Sequence, residues 1–314
     1  MKRNTKHRIA AAAVIIILLL PFLWWQNTGL IATRITYRSG QVPAGFDGCR
    51  IVQVSDLHDN RYGEKQENIL KMTREAAPDY IFITGDLIEC DRMENALQYV
   101  REAAAIAPVY YVPGNHETKS LSAYQTLRQK IREFGGTVLE DEAVTLYREG
   151  SEAKLIGLRD PNFTNGGLLR NGAGPEIQKS LARLSGGKVT GGEIIPVSRE
   201  TARREFTMLL CHRPELMEEY EKNNIDLAFA GHVHGGIVRL PGVGAVYGLN
   251  QGFFPKYSAG LCQKGETSMV VSRGAGNNPI GQRINNRPEL VVVELQRAVP
   301  PAGSSAFAVK TGAR

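Results

Sequence analysis

One unit recurs along the first half of the chain: an apolar run, a short polar motif at its end, and then an amphipathic segment. Residues 50–55 read as a buried strand ending at Asp56-Leu57-His58, and residues 64–77 as a helix stopped by Pro78. Residues 80–84 are the next strand, ending at Gly85-Asp86, and residues 92–105 the next helix, with Pro108 after it. Residues 109–112 form a third strand, ending at Gly114-Asn115-His116-Glu117, and residues 121–134 a third helix, closed by Gly135-Gly136. Periodicity alone does not separate short buried strands from buried helical turns; the β-branched and aromatic content decides for strands. The alternation argues for an α/β chain with a partly parallel sheet and helices on its faces. In such sheets chemistry gathers beyond the carboxyl ends of the strands, where each polar motif falls.

The second half is richer in strands, read at 143–147, 154–158, 206–211, 226–230, 268–272 and 290–295. Residues 162–201 are Gly-rich, with Asn165-Gly166-Gly167 and Ser185-Gly186-Gly187, and read as a surface loop carrying one short helix near 176–184. A loop of that length is often functional or mobile. The tail 299–314 is expected to be disordered.

Composition narrows the classes. With 314 residues, 42% hydrophobic and 22% charged, the chain can bury a sizeable core. The net charge of +6 is too small an excess to argue for a nucleic-acid partner, and Lys2, Arg3, Lys6 and Arg8 hold part of it. The mildly basic remainder suits an anionic substrate. The four cysteines, Cys49, Cys90, Cys211 and Cys262, include no C-x-x-C pair, which excludes a zinc ribbon and a thioredoxin-type motif. They are expected to be mostly buried free thiols.

Residues 9–25 carry no charge and are almost wholly apolar. At about 1.5 Å per residue the run is close to the minimum for a bilayer core of about 30 Å, and Gly29 to Ala32 would lengthen it. Trp24 and Trp25 fall at its exit end, where indoles favour the interface. The basic flank precedes the run, so the N-terminus is expected in the cytoplasm and the rest outside. A cleaved signal peptide competes with this reading, but Pro21-Phe22-Leu23-Trp24-Trp25-Gln26 is a poor cleavage site. The expectation is an uncleaved single-pass anchor over 1–33 and an extracytoplasmic domain over 34–298.

The histidines carry the chemistry. Of six, His7 belongs to the basic flank; His58, His116, His212, His232 and His234 each follow an apolar strand-like run. A lone histidine there is usually a satisfied polar residue, but five in one context call for a shared explanation, and metal binding supplies it. Asp56 and His58, like His232 and His234, stand at i and i+2, and on extended backbone such a pair points the same way. Asp86 offers a carboxylate free to bridge, and Asn115 an amide oxygen. Three or more imidazoles, two carboxylates and an amide exceed one tetrahedral zinc. The mixed N/O set without thiolate fits two ions such as Mn, Fe, Zn or Mg.

The ordered series Asp56-Leu57-His58, Gly85-Asp86-Leu87, Gly114-Asn115-His116-Glu117, Cys211-His212 and Gly231-His232-Val233-His234-Gly235-Gly236 resembles the calcineurin-like metallophosphoesterase superfamily, over about residues 50 to 295. Residues 251–260 and 283–295 also resemble its membrane-anchored bacterial branch. The resemblance implies a four-layer α/β/β/α sandwich of two mixed sheets, here behind one N-terminal transmembrane helix. It implies a first metal on Asp56, His58, Asp86 and His234, and a second on Asp86, Asn115, His212 and His232. It makes His116 the general acid, oriented by Glu117, which stands where many members have Asp. Cys211-His212-Arg213-Pro214 stands where relatives often have Ser-His-x-Pro. The activity implied is hydrolysis of phosphomonoesters or phosphodiesters by a water activated between the two ions, with His116 kept protonated by its anionic surroundings. Arg213 and Arg273 lie near motifs and are candidates for the substrate phosphate. Phe253, Phe254 and Tyr257 fit a pocket wall, a lipid contact or core packing. Two other functions compete: a pyrophosphatase acting on a nucleotide-sugar lipid, and a non-catalytic metal-binding scaffold. The expected substrate is a phosphate ester, of lipid or cell-wall origin.

Overall fold

The computed structural model describes residues 2–163, 175–190, 193–195, 205–236, 238–277 and 281–298, without the side chains of residues 2–6, 9, 11, 12, 175, 188–190 and 193–195. In chain order the elements are α1 (Lys2–Thr28), β1 (Ile31–Ser39), β2 (Arg50–Val54), α2 (Glu67–Ala76), β3 (Tyr80–Thr84), α3 (Glu94–Ala104), β4 (Val109–Val112), α4 (Leu121–Glu133), β5 (Thr137–Val138), β6 (Glu142–Arg148) and β7 (Ser151–Gly157). Then come α5 (Pro175–Leu184), β8 (Lys188–Thr190), β9 (Glu193–Ile195), β10 (Thr207–Leu210), α6 (Met217–Lys222) and β11 (Leu227–Ala230). Four two-residue strands follow, β12 (Arg239–Leu240), β13 (Gly244–Ala245), β14 (Tyr247–Gly248) and β15 (Gly252–Phe253), before β16 (Gly260–Lys264), β17 (Thr267–Val271) and β18 (Glu289–Arg297).

Two six-stranded mixed sheets result, ordered β1-β18-β2-β3-β4-β5 and β16-β17-β11-β10-β7-β6. β2, β3, β4 and β5 run parallel, as do β17, β11, β10 and β7. β18 is antiparallel to β2, and β16 and β6 are antiparallel edges of the second sheet. The strand period of two sorts each strand between layers. Ile51, Phe82, Met208, Leu210 and Phe229 face inward and form the core between the sheets, where Phe82 meets Phe229 edge-on at 5.1 Å. Val52, Ile81 and Ile83 face out and pack with Ile69, Tyr99 and Leu127 of α2, α3 and α4. Ile156, Leu209 and Ala228 do the same with Leu181 of α5 and Tyr220 of α6. Burial on both faces explains why these strands read as continuous apolar runs.

The strands over 80–84 and 109–112 coincide with the sequence expectation, and the other elements it named differ at their ends by a few residues. Several strands escaped it, among them β5, β16 and the short hairpins, and β1 is the longest. Ile31–Ser39, placed with the anchor and the connecting stretch, is an edge strand paired along its length with β18. Arg34, Thr36 and Arg38 alternate with its apolar residues, as one solvated face requires, so it lacks the apolar run that marks the central strands. Extending the apolar helix through Ala32 is therefore corrected: α1 ends at Thr28 and Ile31 opens the sheet. The helix expected near 176–184 is α5, while residues 165–167 and 299–314 lie outside the described residues. All four cysteines are free, with Cys49 and Cys211 buried, Cys262 half-buried and Cys90 exposed. Among the described residues, which leave out the side chains of residues 2–6, 9, 11 and 12 of α1, no helix is long and apolar enough to cross a membrane.

Phe82 fills the space between the sheets, so Phe82→Ala is expected to cost roughly 3–5 kcal/mol, read as a lower urea midpoint.

Candidate metal centre

The loops that follow β2, β3, β4, β10 and β11 converge on one edge of the two sheets. Their backbones are laced together: Asp56 N–H donates to Gly85 O, His58 N–H to Asp86 O, and Asp59 N–H to Leu87 O, each at 3.0 Å. The lacing holds Asp56, His58, Asp86, His232 and His234 at φ between 48° and 68°, the left-handed region that non-glycine residues seldom adopt. Packing here leaves no room for some side chains. A Cβ at Gly231 would collide with Ser55 Oγ and the Asp56 carboxylate, and one at Gly85 would lie 2.7 Å from His212 Nδ1.

Two groups of donors form. Asp56, His58 and His234 make one and Asp86, His212 and His232 the other, and within each the candidate ligand atoms lie within 4.8 Å of one another. Asp86 stands between the groups, with Oδ2 3.2 Å from His212 Nε2 and 3.9 Å from His58 Nε2. His212 Nδ1 donates to Thr84 O at 2.7 Å, which fixes the ring and turns Nε2 toward Asp86. That Nε2 is buried without a hydrogen-bond partner, and so is Asn115 Oδ1. His58 Nε2 faces His234 Nε2 at 3.1 Å. Buried bare nitrogens and oxygens turned toward one another are costly unless something bonds them, and divalent cations would. The residues present therefore fit two metal ions.

The protonation pattern has clear causes. Burial raises Asp56. Burial also opposes the charge on Asp86, but His212 and His58 outweigh it and hold Asp86 well below the usual carboxylate range. Burial would lower His212, but Asp86 and Asp56 prevail and its pKa is pushed up to about 10. His232 and His234 are lowered well below the usual value by burial, then by Arg213 and His58 respectively. They are neutral imidazoles, the form a metal takes.

Glu117 does not have the role expected of it. It is buried and accepts backbone N–H bonds from Gly114 (2.7 Å), Leu87 (2.8 Å), Asp86 (3.0 Å) and Ile88 (3.3 Å). Burial and the Asp86 charge raise its pKa to about 7 against those donors. It clamps the loop after β3 to the loop after β4. The partners of His116 are Glu89, whose Oε2 lies 2.6 Å from His116 Nδ1 and 3.0 Å from His58 Nδ1, and Lys119, whose Nζ lies 2.8 Å from His116 Nδ1 and 3.0 Å from its Nε2. The signal for Glu89 was its place three residues after Asp86, two residues beyond the motif. Nor do anionic neighbours raise His116: burial outweighs Asp86 and Glu89 and lowers its pKa.

The candidate phosphate arginines also change role. Arg213 is buried and held by both oxygens of Asp160, at 2.5 and 3.0 Å, with Nη1 2.8 Å from His232 Nε2. Arg273 is paired through Nε (2.8 Å) and Nη2 (2.5 Å) with Glu289. Neither lines the cleft of about 340 Å³ in front of His58 and His116; its cations are Arg92 and Lys119, and Asn277 stands on its rim. Both were missed because no strand-end motif contains them. Phe253 and Phe254 are exposed and Tyr257 is buried, all outside that cleft.

Removing the Glu117 carboxylate strands four backbone donors. Glu117→Ala is expected to lose about 3 kcal/mol or more in urea unfolding, with activity lost alongside.

A family model described as calcineurin-like phosphoesterase matches residues 49–236, more than half of the chain. An uncharacterized metallophosphoesterase of Bacillus subtilis (strain 168), YkuE, is 28% identical over 273 residues, covering 84% of this chain and 85% of YkuE. Phosphodiesterase YaeI of Escherichia coli (strain K12) is 25% identical over 252 residues, covering 78% of this chain and 82% of YaeI. A Danio rerio protein named transmembrane protein with metallophosphoesterase domain is 26% identical over 268 residues, covering 82% of this chain and 55% of that protein. The chain belongs to the calcineurin-like phosphoesterase family and is a metal-dependent phosphoric ester hydrolase.

Proposed function

We propose that the protein hydrolyses phosphodiesters, with Asp56, His58, Asp86 and His234 holding one divalent ion and Asp86, Asn115, His212 and His232 a second. The carrying observation is the pair of donor groups meeting at Asp86 beneath a cleft edged by His116. When bound, the two ions supply Lewis acidity toward the phosphoryl oxygens and the attacking water. His116 turns Nε2 toward the metal side, 3.8 Å from Asp86 Oδ2, and Nδ1 toward Glu89. That orientation suits the imidazolium form of His116, which burial makes the minor form, to deliver a proton from Nε2 to the departing alkoxide while Glu89 steadies the ring. Arg92 and Lys119 are offset in the cleft by Asp59 and Glu89, a balance that suits the single charge of a diester better than a monoester dianion. A relative bearing the name phosphodiesterase supports the same choice.

Bis-p-nitrophenyl phosphate is expected to turn over faster than p-nitrophenyl phosphate, with activity lost to chelator and restored by Mn, Zn, Fe or Mg. Preference for the monoester would sink the diester reading. His116→Ala is expected to lose roughly 10²–10⁴-fold on diesters with alkyl leaving groups and far less on p-nitrophenyl esters, because nitrophenolate needs no acid. Glu89→Gln is expected to lose activity in the same leaving-group pattern by a smaller factor. An equal loss on both ester types would remove the acid role.

We also propose that α1 anchors the protein in the cell membrane as a single pass, with the enzyme domain extracytoplasmic and its phosphate ester drawn from lipid or cell wall. The uncharged run over 9–25, the basic residues before it and the exposed aliphatic side chains over 14–20 support this reading. Protease added to intact cells is expected to remove the domain. A protected domain would refute the topology.

A further inference from the structure

We infer that the two hairpins β12–β13 and β14–β15, together with the last turns of α1, form one surface that docks onto lipid. This rests on the anchored reading of α1 and adds a second, peripheral membrane contact made by the enzyme domain itself. Phe253 and Phe254 are 74% and 64% exposed at the second hairpin, and Leu240 and Val243 are exposed at the first. The exposed Lys256 follows them in sequence, as expected of a surface that meets anionic headgroups.

A short segment ties these hairpins to the helix. Val238 bridges to Ile284, and Arg239 N–H donates to Ile284 O at 3.1 Å. One residue earlier, Arg283 N–H donates to Asn27 Oδ1 at 2.7 Å, and Gln282 Nε2 donates to Leu23 O at 3.2 Å. Three residues after Ile284, Arg287 donates to Gly29 O at 2.7 Å and lies over the Trp25 ring at 4.2 Å. The hairpin base and the end of α1 therefore grip opposite sides of residues 282–287. With the helix end at the bilayer interface, this shared segment would bring the hairpins toward the zone where aromatic side chains favour lipid.

Strand register puts the metal centre on the same side. Ile31 pairs with Glu289 and Val291 with Gln53, so α1 joins the sheet at the edge where Asp56 sits. Asn277 on the cleft rim is four residues from Gly281, which accepts a hydrogen bond from Asn27 Nδ2. Four residues span at most about 14 Å, so the cleft opens within reach of a headgroup phosphodiester. Asn250, in the turn between β14 and β15, also lies 2.9 Å from His232 Nε2, which couples the docking hairpin to the centre.

The test uses the full chain reconstituted in vesicles of phosphatidylcholine and phosphatidylglycerol. A photoreactive benzoylphenylalanine replaces Phe253, Leu18 or Tyr147 in turn. Tyr147 is an equally exposed aromatic, 70%, but it pairs with Glu152 at the opposite edge of the second sheet. Lipid adducts are expected at 253 and 18, with at least about tenfold more at 253 than at 147. Adducts at 18 but not at 253 overturn the docking surface and leave the anchor standing. Adducts at neither position overturn both. Adducts at 253 to protein alone assign the patch to a protein partner and overturn the lipid assignment.

Discussion

The Asp86 carboxylate is the point on which the catalytic edge depends. It accepts the His116 N–H at 2.7 Å, faces His212 Nε2 at 3.2 Å and stands between the two donor groups. Its own backbone is held on both sides, N–H to Glu117 and carbonyl to the His58 N–H. A buried carboxylate is costly unless paired and hydrogen-bonded. Here the pairing comes from histidines of three other loops, so the charge can be buried only if those loops arrive together. The strained left-handed backbones at Asp56, His58, Asp86, His232 and His234 are tolerated for the same reason.

Around this point the structure builds supports that touch no substrate. Glu117 ties two loops through their backbone amides, and Asp160 fixes Arg213 against His232. Arg283, fully buried, donates to the carbonyls of Arg273 and Asn286 and lies 3.3 Å from His234 Nδ1. These groups set ligand orientation, and outer contacts of this kind govern metal affinity nearly as strongly as the ligands do. Arg283 also belongs to the segment that receives the end of α1. The N-terminal helix and the metal centre thus share a wall.

The sequence made the central parallel strands legible because burial on both faces leaves uninterrupted β-branched and aromatic runs. It made Asp56, His58, Asp86, Asn115, His212, His232 and His234 legible because each stands at a strand end beside another polar residue. β1 was not legible: an edge strand with one solvated face alternates, and its start abuts an apolar helix. The partners were not legible either. Glu89 and Lys119 act from one turn beyond their motifs, and Glu117 and Arg213 carry charges whose targets are set by loops far away in sequence.

By itself, then, the sequence determined the class of fold and which polar side chains gather at the strand ends as candidate metal ligands, since both follow from local periodicity and from the chemistry of short motifs. Only the tertiary structure decided which charges face the cleft and which are bound inside. Arg213 and Arg273 read as functional by proximity in sequence and Glu117 by resemblance, yet burial pairs them with Asp160, Glu289 and backbone amides. Glu89, Arg92 and Lys119 face the cleft instead. The physical reason is that a buried charge must find its complement in space, and strand order and register, not neighbours along the chain, determine where that complement lies.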